Sequence, residues 1–395
     1  MEDLCGYAQR KRRELALLAG LAGVVPSSVP DDPGRIFAAK GRLRAELLSA
    51  QARCHPDLTE TERRPGASHR VGSFRVRYGY SRFDLDVEGP PVYAAAPSPR
   101  GTLYAVTGMS AIAATMLALD RLGETRLEGL AGCYFETQHL LAELTSRLRL
   151  EVVQRWIGGG SVLVDSYVKA NCQRIDRLAP VAPGLVLFDT TCYPANSPRI
   201  GTIVTWALAH GATVVCLRSH LKLDQLGVEY SRLGSAVFFG NGPRLEQIME
   251  AVEDTARTLG IGVPPVLLPP FFGDAEFVEL NTLRLRRLRE NCRYVLGRLR
   301  DLKLGRFHHL LFFTLDAGLT EEQLPEAADD LARLLKQACV LARRSGSFGH
   351  DFIAIDDYVD ATTERPVLRC SMADIPTEMV ERLVEVVRGW ARAYC

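Results

Sequence analysis

At 395 residues the chain exceeds what one small hydrophobic core supports, so two or three folding units are expected. Hydrophobic residues make up 47% and charged residues 24%, the balance of a globular enzyme and not of a disordered or fibrous chain. Lys and Arg (48) nearly cancel Asp and Glu (47), which excludes the one-signed field that gathers nucleic acid or an anionic membrane and leaves a small molecule as the expected partner.

The 10 cysteines include no CxxC pair and no Cys/His cluster at metal spacing, so no metal is expected and the thiols read as reduced residues of a cytoplasmic protein. Near the start, the apolar run Leu15 to Val25 follows Lys11, Arg12 and Arg13. It is too short to span a bilayer and reads as a helix of an N-terminal arm, with a signal-peptide core as the alternative. Asp31, Asp32 and Pro33 offer a helix start before an amphipathic stretch to Arg53, so residues 1–65 are expected to form a helical arm.

From Val92 to Ser235 strand-like apolar runs alternate with helical patterns. Strands are expected at Leu103 to Val106, Ser161 to Val164, Leu185 to Phe188, Thr213 to Leu217 and Ala236 to Phe239. Helices are expected at Ala111 to Leu122 and near Ile203 to His210. Alternation of this kind implies parallel pairing through crossovers, hence an α/β large domain over 66–250. A Pro-rich break, Pro264 to Gly273, precedes a long Arg-rich helical pattern from Glu279 to Leu302, expected to be a solvated face. A strand at His309 to Leu315 and helices at Glu321 to Leu341 and Pro376 to Ala393 then suit a smaller α+β domain over 251–395.

Three places carry candidate chemistry. Val106 to Ile112 (VTGMSAI) is a strand ending in a small-residue turn that opens a helix, where unpaired N–H groups and the helix dipole favour an anion. Leu185 to Asp189 (LVLFD) delivers one carboxylate at the C-terminal end of a buried strand, the edge at which α/β sheets bind ligands. Thr213 to Lys222 (TVVCLRSHLK) is a strand running into Ser219 and Lys222, an amine that becomes a nucleophile toward carbonyls when desolvated. An anion turn, a carboxylate for a ring nitrogen and an amine for an aldehyde are together what pyridoxal 5'-phosphate (PLP) requires.

With these, the pieces YSR (Tyr80 to Arg82), TGMSAI (Thr107 to Ile112), Tyr134, DTTCYPANSP (Asp189 to Pro198), SHLK (Ser219 to Lys222), LNTLRLR (Leu280 to Arg286), SGSFG (Ser345 to Gly349) and LRCS (Leu368 to Ser371) occur in one order. In that order the chain resembles the Cys/Met-metabolism PLP enzymes, the group of cystathionine γ-synthase and methionine γ-lyase, over roughly Tyr80 to the C-terminus. The resemblance implies the aspartate-aminotransferase-like PLP-dependent transferase fold (fold type I), with a three-layer α/β/α large domain and a smaller α+β C-terminal domain. It further implies that Gly108, Met109 and Ser219 hold the phosphate, joined by Tyr80 and Arg82 from a neighbouring subunit of a homodimer or homotetramer with shared active sites. Asp189 would pair with the pyridine nitrogen, Tyr134 would stack on the ring and exchange a proton with the leaving group, and Lys222 would carry the cofactor and shuttle protons. Arg369, with Ser345, would bind the α-carboxylate. Asn171 is set beside the family's Asn near the ring oxygen, although SYVKANC aligns poorly there.

The chain also departs from that pattern. Leu221 stands where the family commonly has Thr, which removes one phosphate hydrogen bond worth about 1 kcal/mol. Gly227-Val228-Glu229-Tyr230 replaces the family's Gly-His-Ser-Asp, and the loops around Asp189 have changed length. Rebuilt loops of this kind imply a specialised biosynthetic substrate. The expected activity is γ-elimination or γ-replacement on an L-amino acid. The alternatives are an aminotransferase or β-eliminating lyase on the same fold, and a non-catalytic partner subunit.

Overall fold

The computed structural model describes residues 2–25, 31–54, 68–80, 84–94, 96–153, 160–167, 183–307, 309–360 and 365–394. Helices α1 (Leu4–Ala22) and α2 (Pro33–Cys54) precede three short strands, β1 (Ser68–Val71), β2 (Phe74–Tyr80) and β3 (Asp84–Glu88). There follow β4 (Gly101–Ala105), α3 (Gly108–Arg121), β5 (Arg126–Leu130), α4 (Phe135–Leu144), β6 (Arg149–Val153), β7 (Ser161–Asp165), β8 (Leu185–Asp189), α5 (Pro198–Ala209), β9 (Thr213–Ser219), α6 (His220–Leu223), β10 (Gly234–Phe239) and α7 (Pro243–Leu259). The last stretch holds α8 (Ala275–Arg298), β11 (Leu304–Arg306), β12 (Phe312–Leu315), α9 (Leu324–Gln337), β13 (Ala342–Arg344), β14 (Ile353–Asp360), β15 (Arg365–Ser371) and α10 (Thr377–Tyr394). Contacts divide the chain into one unit of Leu48–Asp224 with Glu229–Asp274, and another of Met1–Leu47 with Gln225–Val228 and Ala275–Cys395.

The first unit is built on a seven-stranded sheet in the order β4-β10-β9-β8-β7-β5-β6. Strands β7 and β8 are buried along their whole length, as near-continuous Val/Leu/Phe runs must be when both faces are covered. From β6 through β5, β7 and β8 to β9 the pairing is parallel, as expected from the alternating pattern. At β10 that expectation fails: it runs antiparallel to both β9 and β4. The reason lies in the connection, because between β9 and β10 there is only the one-turn helix α6 and no crossover helix to carry the chain back to a parallel start. The core of this unit joins Ala114, Ala118 and Leu119 of α3, Ile200 and Val204 of α5, and the inward residues of β7 to β10.

The second unit carries a five-stranded sheet, β11-β12-β15-β14-β13, antiparallel except between β13 and β14. Helix α9 packs on β13, β14 and β15, α10 packs on α8 and α9, and α1 packs on α8. Leu331 and Leu335 of α9 and Val380, Leu383, Val387 and Trp390 of α10 are buried at helical spacing, so each helix shows one apolar stripe.

This unit also buries a network of charges. Lys11, predicted from sequence to flank a targeting-like run, is 0% exposed, and its Nζ reaches Asp374 at 2.7 Å, Glu14 at 3.0 Å and Asp351 at 3.1 Å. Lys40 contacts the same Asp351 at 2.6 Å and Glu14 at 2.7 Å, and Arg10 pairs with Asp374 at 2.7 Å. Arg284 donates to Asp351 at 2.8 Å and to the Gly349 carbonyl at 2.6 Å. The Arg-rich helix α8 is therefore not a solvated face throughout: Arg286 is exposed, whereas Arg284 is fully buried. Lys40 also donates to the carbonyl of Leu226, whose φ of 51° places a side-chain-bearing residue in the left-handed region at a cost of about 1–2 kcal/mol. Next to it Gly227 has a φ of 72°, and a Cβ there would lie 2.5 Å from Arg284 Nη2 and 2.7 Å from Asp351 Oδ1. The rebuilt loop noted in the sequence is thus fitted against buried charge.

Burial raises the pKa of Asp351, but Lys11, Lys40 and Arg284 outweigh it and hold the carboxyl well below its ordinary value. A depressed carboxyl contributes stability above its unfolded pKa and loses it as pH falls toward the folded one. Asp351→Ala should leave three buried cations undercompensated and cost about 3–5 kcal/mol, measured by denaturant unfolding at neutral pH. The wild type should lose stability below about pH 4 over a range in which the variant changes less.

Candidate active site

The C-terminal ends of the parallel strands bring three of the sequence candidates to one edge. Strand β4 runs into Thr107, whose side chain accepts from the Ser110 N–H at 2.8 Å while Ser110 Oγ accepts from the Thr107 N–H at 2.9 Å. This reciprocal cap starts α3 at Gly108. The N–H groups of Gly108 and Met109, in the first turn, have no intrahelical acceptor, so the dipole and two donors face whatever lies before the helix.

Close packing shapes that cradle. Gly234 of β10 is in register with Ser219 of β9 on one side and Ala105 of β4 on the other. A Cβ on Gly234 would sit 2.2 Å from the Thr107 carbonyl oxygen and 2.5 Å from the Gly108 nitrogen. One on Gly108 would sit 2.6 Å from the Ser219 Cβ. Both positions require glycine because three backbones converge there. Gly234 was not singled out from sequence; a lone Gly opening a strand was its only signal.

Asp189 ends β8 and is 8% exposed. Its Oδ1 accepts from the Thr191 N–H at 2.8 Å, and no ion pair to it is formed among the described residues. Burial pushes its pKa up, against the pull of Thr191 hydrogen bonds and of the Arg218 charge. Its register partner on β7 is a second carboxylate, Asp165, which was not singled out from sequence. Asp165 accepts from the backbone N–H of Tyr134 at 2.7 Å and of Tyr167 at 2.8 Å. Burial and the neighbouring Asp189 push its carboxyl up to about 7. Tyr134, half-buried just before α4, is thus tied by its main chain to the strand beside Asp189, and its ring meets Phe135 edge-on at 5.2 Å.

Lys222 lies half-buried in α6, one residue past Leu221 and three past Ser219. The Ser219 N–H donates to Thr191 Oγ1 at 3.1 Å, which links the lysine-bearing turn to the loop after Asp189. Leu221 brings no hydroxyl to this turn, and that of Thr191, two residues beyond the carboxylate, accepts the Ser219 N–H.

The remaining candidates lie elsewhere. Tyr80 closes β2, and Arg82 and Asn171 fall outside the described residues. Arg369 and Ser345 belong to the unit containing the five-stranded sheet. There Arg369, 7% exposed, donates to Asp356 Oδ2 at 2.7 Å from the adjoining strand and lies over the rings of Phe312 and Tyr358 at 5.4 and 5.8 Å. Its Nε finds no partner among the described residues. Ser345 is half-buried, its N–H donating to the Ile355 carbonyl at 3.0 Å and its Oγ accepting from the Ser347 N–H. Among the described residues no group of His, Cys, Asp and Glu could hold a metal, and no helix is long and apolar enough to cross a membrane.

If the cradle is an anion site, Gly234→Ala should cost about 1–3 kcal/mol in thermal unfolding through overpacking. It should also weaken binding of inorganic phosphate, measured by calorimetry, by more than that loss of stability alone would produce.

Comparison with solved structures fixes the fold. The chain is similar to cystathionine gamma synthase from Xanthomonas oryzae pv. oryzae in complex with cystathionine, with a TM-score of 0.51, 15% identity, and coverage of 85% of this chain and 92% of that one. It is also similar to metB from Corynebacterium glutamicum, with a TM-score of 0.53, 16% identity, and coverage of 85% and 91%. No protein-family model matches the sequence, and no curated protein matches it. The chain therefore has the PLP-dependent transferase fold expected from its motifs, reached through a sequence far diverged from these structures.

Proposed function

We propose that the protein is a PLP-dependent lyase or transferase that acts on an L-amino acid by γ-elimination or γ-replacement, in specialised metabolism with an unusual γ-leaving group. The observation that carries this reading is the convergence, in one unit, of the glycine-lined cradle at Gly108, the buried Asp189 and the amine of Lys222 at one edge of the sheet. The donor set fits the cofactor. First-turn N–H groups and Ser219 suit a phosphate, a buried carboxylate with no ion pair among the described residues suits a pyridinium, and a half-buried amine suits an aldehyde. PLP, when bound, supplies an electron sink for charge developing at the substrate's α-carbon.

The protein's own groups would do the rest. Asp189, its pKa raised by burial against the opposing pull of Thr191 and Arg218, would share the proton of the ring nitrogen. Lys222 takes the proton from Cα and serves again at Cβ. Tyr134, fixed through its main chain to Asp165, donates a proton to the departing γ-group. Arg369 binds the α-carboxylate in place of Asp356, with Ser345 near its sheet. Burial raises the Asp356 pKa against the pull of Arg369. Leaving-group identity follows from the rebuilt loops, and a cytoplasmic homodimer or homotetramer that shares its active sites agrees with this reading.

The wild type, mixed with PLP, should develop a visible absorption band and yield Lys222 as the labelled residue after borohydride reduction. Lys222→Ala should show only the spectrum of free cofactor. Addition of γ-substituted amino acids should then change the wild-type spectrum and release the γ-group. A wild type that stays colourless with PLP overturns the reading. In the active protein, Arg369→Lys should lower kcat/KM by roughly 10–100-fold, mostly through KM, because a point cation replaces a two-pronged carboxylate clamp.

A further inference from the structure

Beyond these residues, a fully buried cation sits directly before the lysine-bearing turn. Arg218, the penultimate residue of β9, has a side chain 0% exposed to solvent. Its Nε and Nη2 donate in parallel to the two carboxylate oxygens of Asp224, each at 2.6 Å. Its Nη1 donates to the carbonyls of Thr190 and Tyr193, both at 2.9 Å. Asp224 Oδ2 also accepts from His220 Nδ1 at 2.7 Å, and His220 Nε2 meets Ser235 Oγ at 2.9 Å. With Asp224 acting only as an acceptor, the imidazole carries its proton on Nδ1 and accepts the serine hydroxyl at Nε2. Burial keeps His220 neutral by lowering its pKa, and Arg218 holds Asp224 well below the ordinary carboxylate range despite its burial.

The placement of these partners gives the network its meaning. Helix α6 is the single turn His220–Leu223, and Lys222 lies between His220 and Asp224, both of which are fastened to Arg218 or its partner. One turn of helix has no stability of its own, so its geometry is imposed by these contacts. The same guanidinium holds the carbonyl of Thr190, the residue after Asp189, and Thr190 Oγ1 shares a hydrogen bond of 2.7 Å with Tyr93. Arg218 therefore spans the two strand ends that present the amine and the carboxylate. Its charge is largely matched by Asp224 and also acts favourably on Asp189.

We propose that Arg218, with Asp224 and His220, is a positioning network that holds Lys222 and the Asp189 turn at the separation the cofactor requires. The proposal rests on the PLP reading above. A buried ion pair is a poor device for stability alone, since a well-packed apolar pair often serves as well. Its use here is geometric, because a bidentate pair fixes distance and orientation together.

The charge-neutral double variant Arg218→Met with Asp224→Leu separates position from stability. Alongside it, Asp224→Asn changes the shape of the site least, and Asp254→Asn at an exposed position of α7 serves as a control. Each is compared with wild type by thermal unfolding, by PLP titration followed in the visible spectrum, and by borohydride reduction with mass mapping of the labelled lysine. The double variant should unfold within a few degrees of wild type, bind PLP at least 10-fold more weakly and label Lys222 incompletely. Asp224→Asn should weaken PLP binding at least threefold, and the control should match wild type. Wild-type PLP affinity and full labelling in a folded double variant overturn the positioning role. If the double variant does not fold, Asp224→Asn decides alone, and wild-type affinity there overturns the proposal equally. A wild type that neither colours nor labels overturns the cofactor reading first and this proposal with it.

Discussion

The parallel, in-register ending of β7, β8 and β9 is the constraint on which the candidate site depends. Because Asp165, Asp189 and Leu217 are hydrogen-bonded neighbours in the ladder, the turns that follow them start at the same height on the sheet edge. Two carboxylates and the lysine-bearing turn are therefore brought together by main-chain hydrogen bonding before any side chain makes a contact. Parallel pairing also requires helices on the faces of the sheet, which excludes water from the strands and leaves Asp165 and Asp189 in surroundings that penalise their charges. The raised pKa values of both carboxyls are consequences of that architecture.

Much of this was legible in sequence because it is local. Apolar runs of strand length gave β7, β8 and β9, helical patterns gave α3 and most of α5, and the motif order gave the fold. What was not legible is set by pairing across long stretches of chain. The antiparallel entry of β10 follows from a connection too short for a crossover, and the need for glycine at 234 follows from the approach of Thr107, more than a hundred residues earlier. Arg369 could be picked out as a candidate cation, but its register with Asp356 depends on how β14 meets β15. Asp165 was not singled out because a buried-strand pattern says nothing about the residue across the ladder. Arg218 likewise had no local signal, since one Arg beside the Ser219-His220 pair reads as an ordinary surface cation until Asp224 folds back on it.

The N-terminal helices show how context reverses the meaning of charge. Lys11, Arg12 and Arg13 are adjacent in sequence, yet helical spacing sends them to different environments. Lys11 enters the buried network with Asp351 and Asp374, whereas Arg12 and Arg13 pair with Asp31 and Glu279 at sites that are 52% and 43% exposed on the arginine side. Exposed pairs of that kind contribute little to stability, and the buried ones matter mainly through the penalty for breaking them. A network of Lys11, Lys40, Arg284, Asp351 and Asp374 therefore specifies which helix face packs inward more than it adds net stability. Through the Leu226 carbonyl and the tight fit at Gly227 it also fixes the backbone of Gln225–Val228, which leads directly out of the turn holding Lys222 and Asp224.

Within the proposed chemistry, the Arg369 and Asp356 pair sets a condition on the substrate. An arriving carboxylate gains a charge-assisted contact with the guanidinium only by displacing Asp356 or sharing the cation with it, and two carboxylates around one guanidinium repel each other. Burial already raises the Asp356 pKa against the pull of Arg369, so loss of the guanidinium would favour the protonated carboxyl further. Uptake of that proton couples carboxylate binding to pH. Affinity should therefore fall as pH rises above the Asp356 pKa, because displacement then strands a charged carboxylate in a half-buried position.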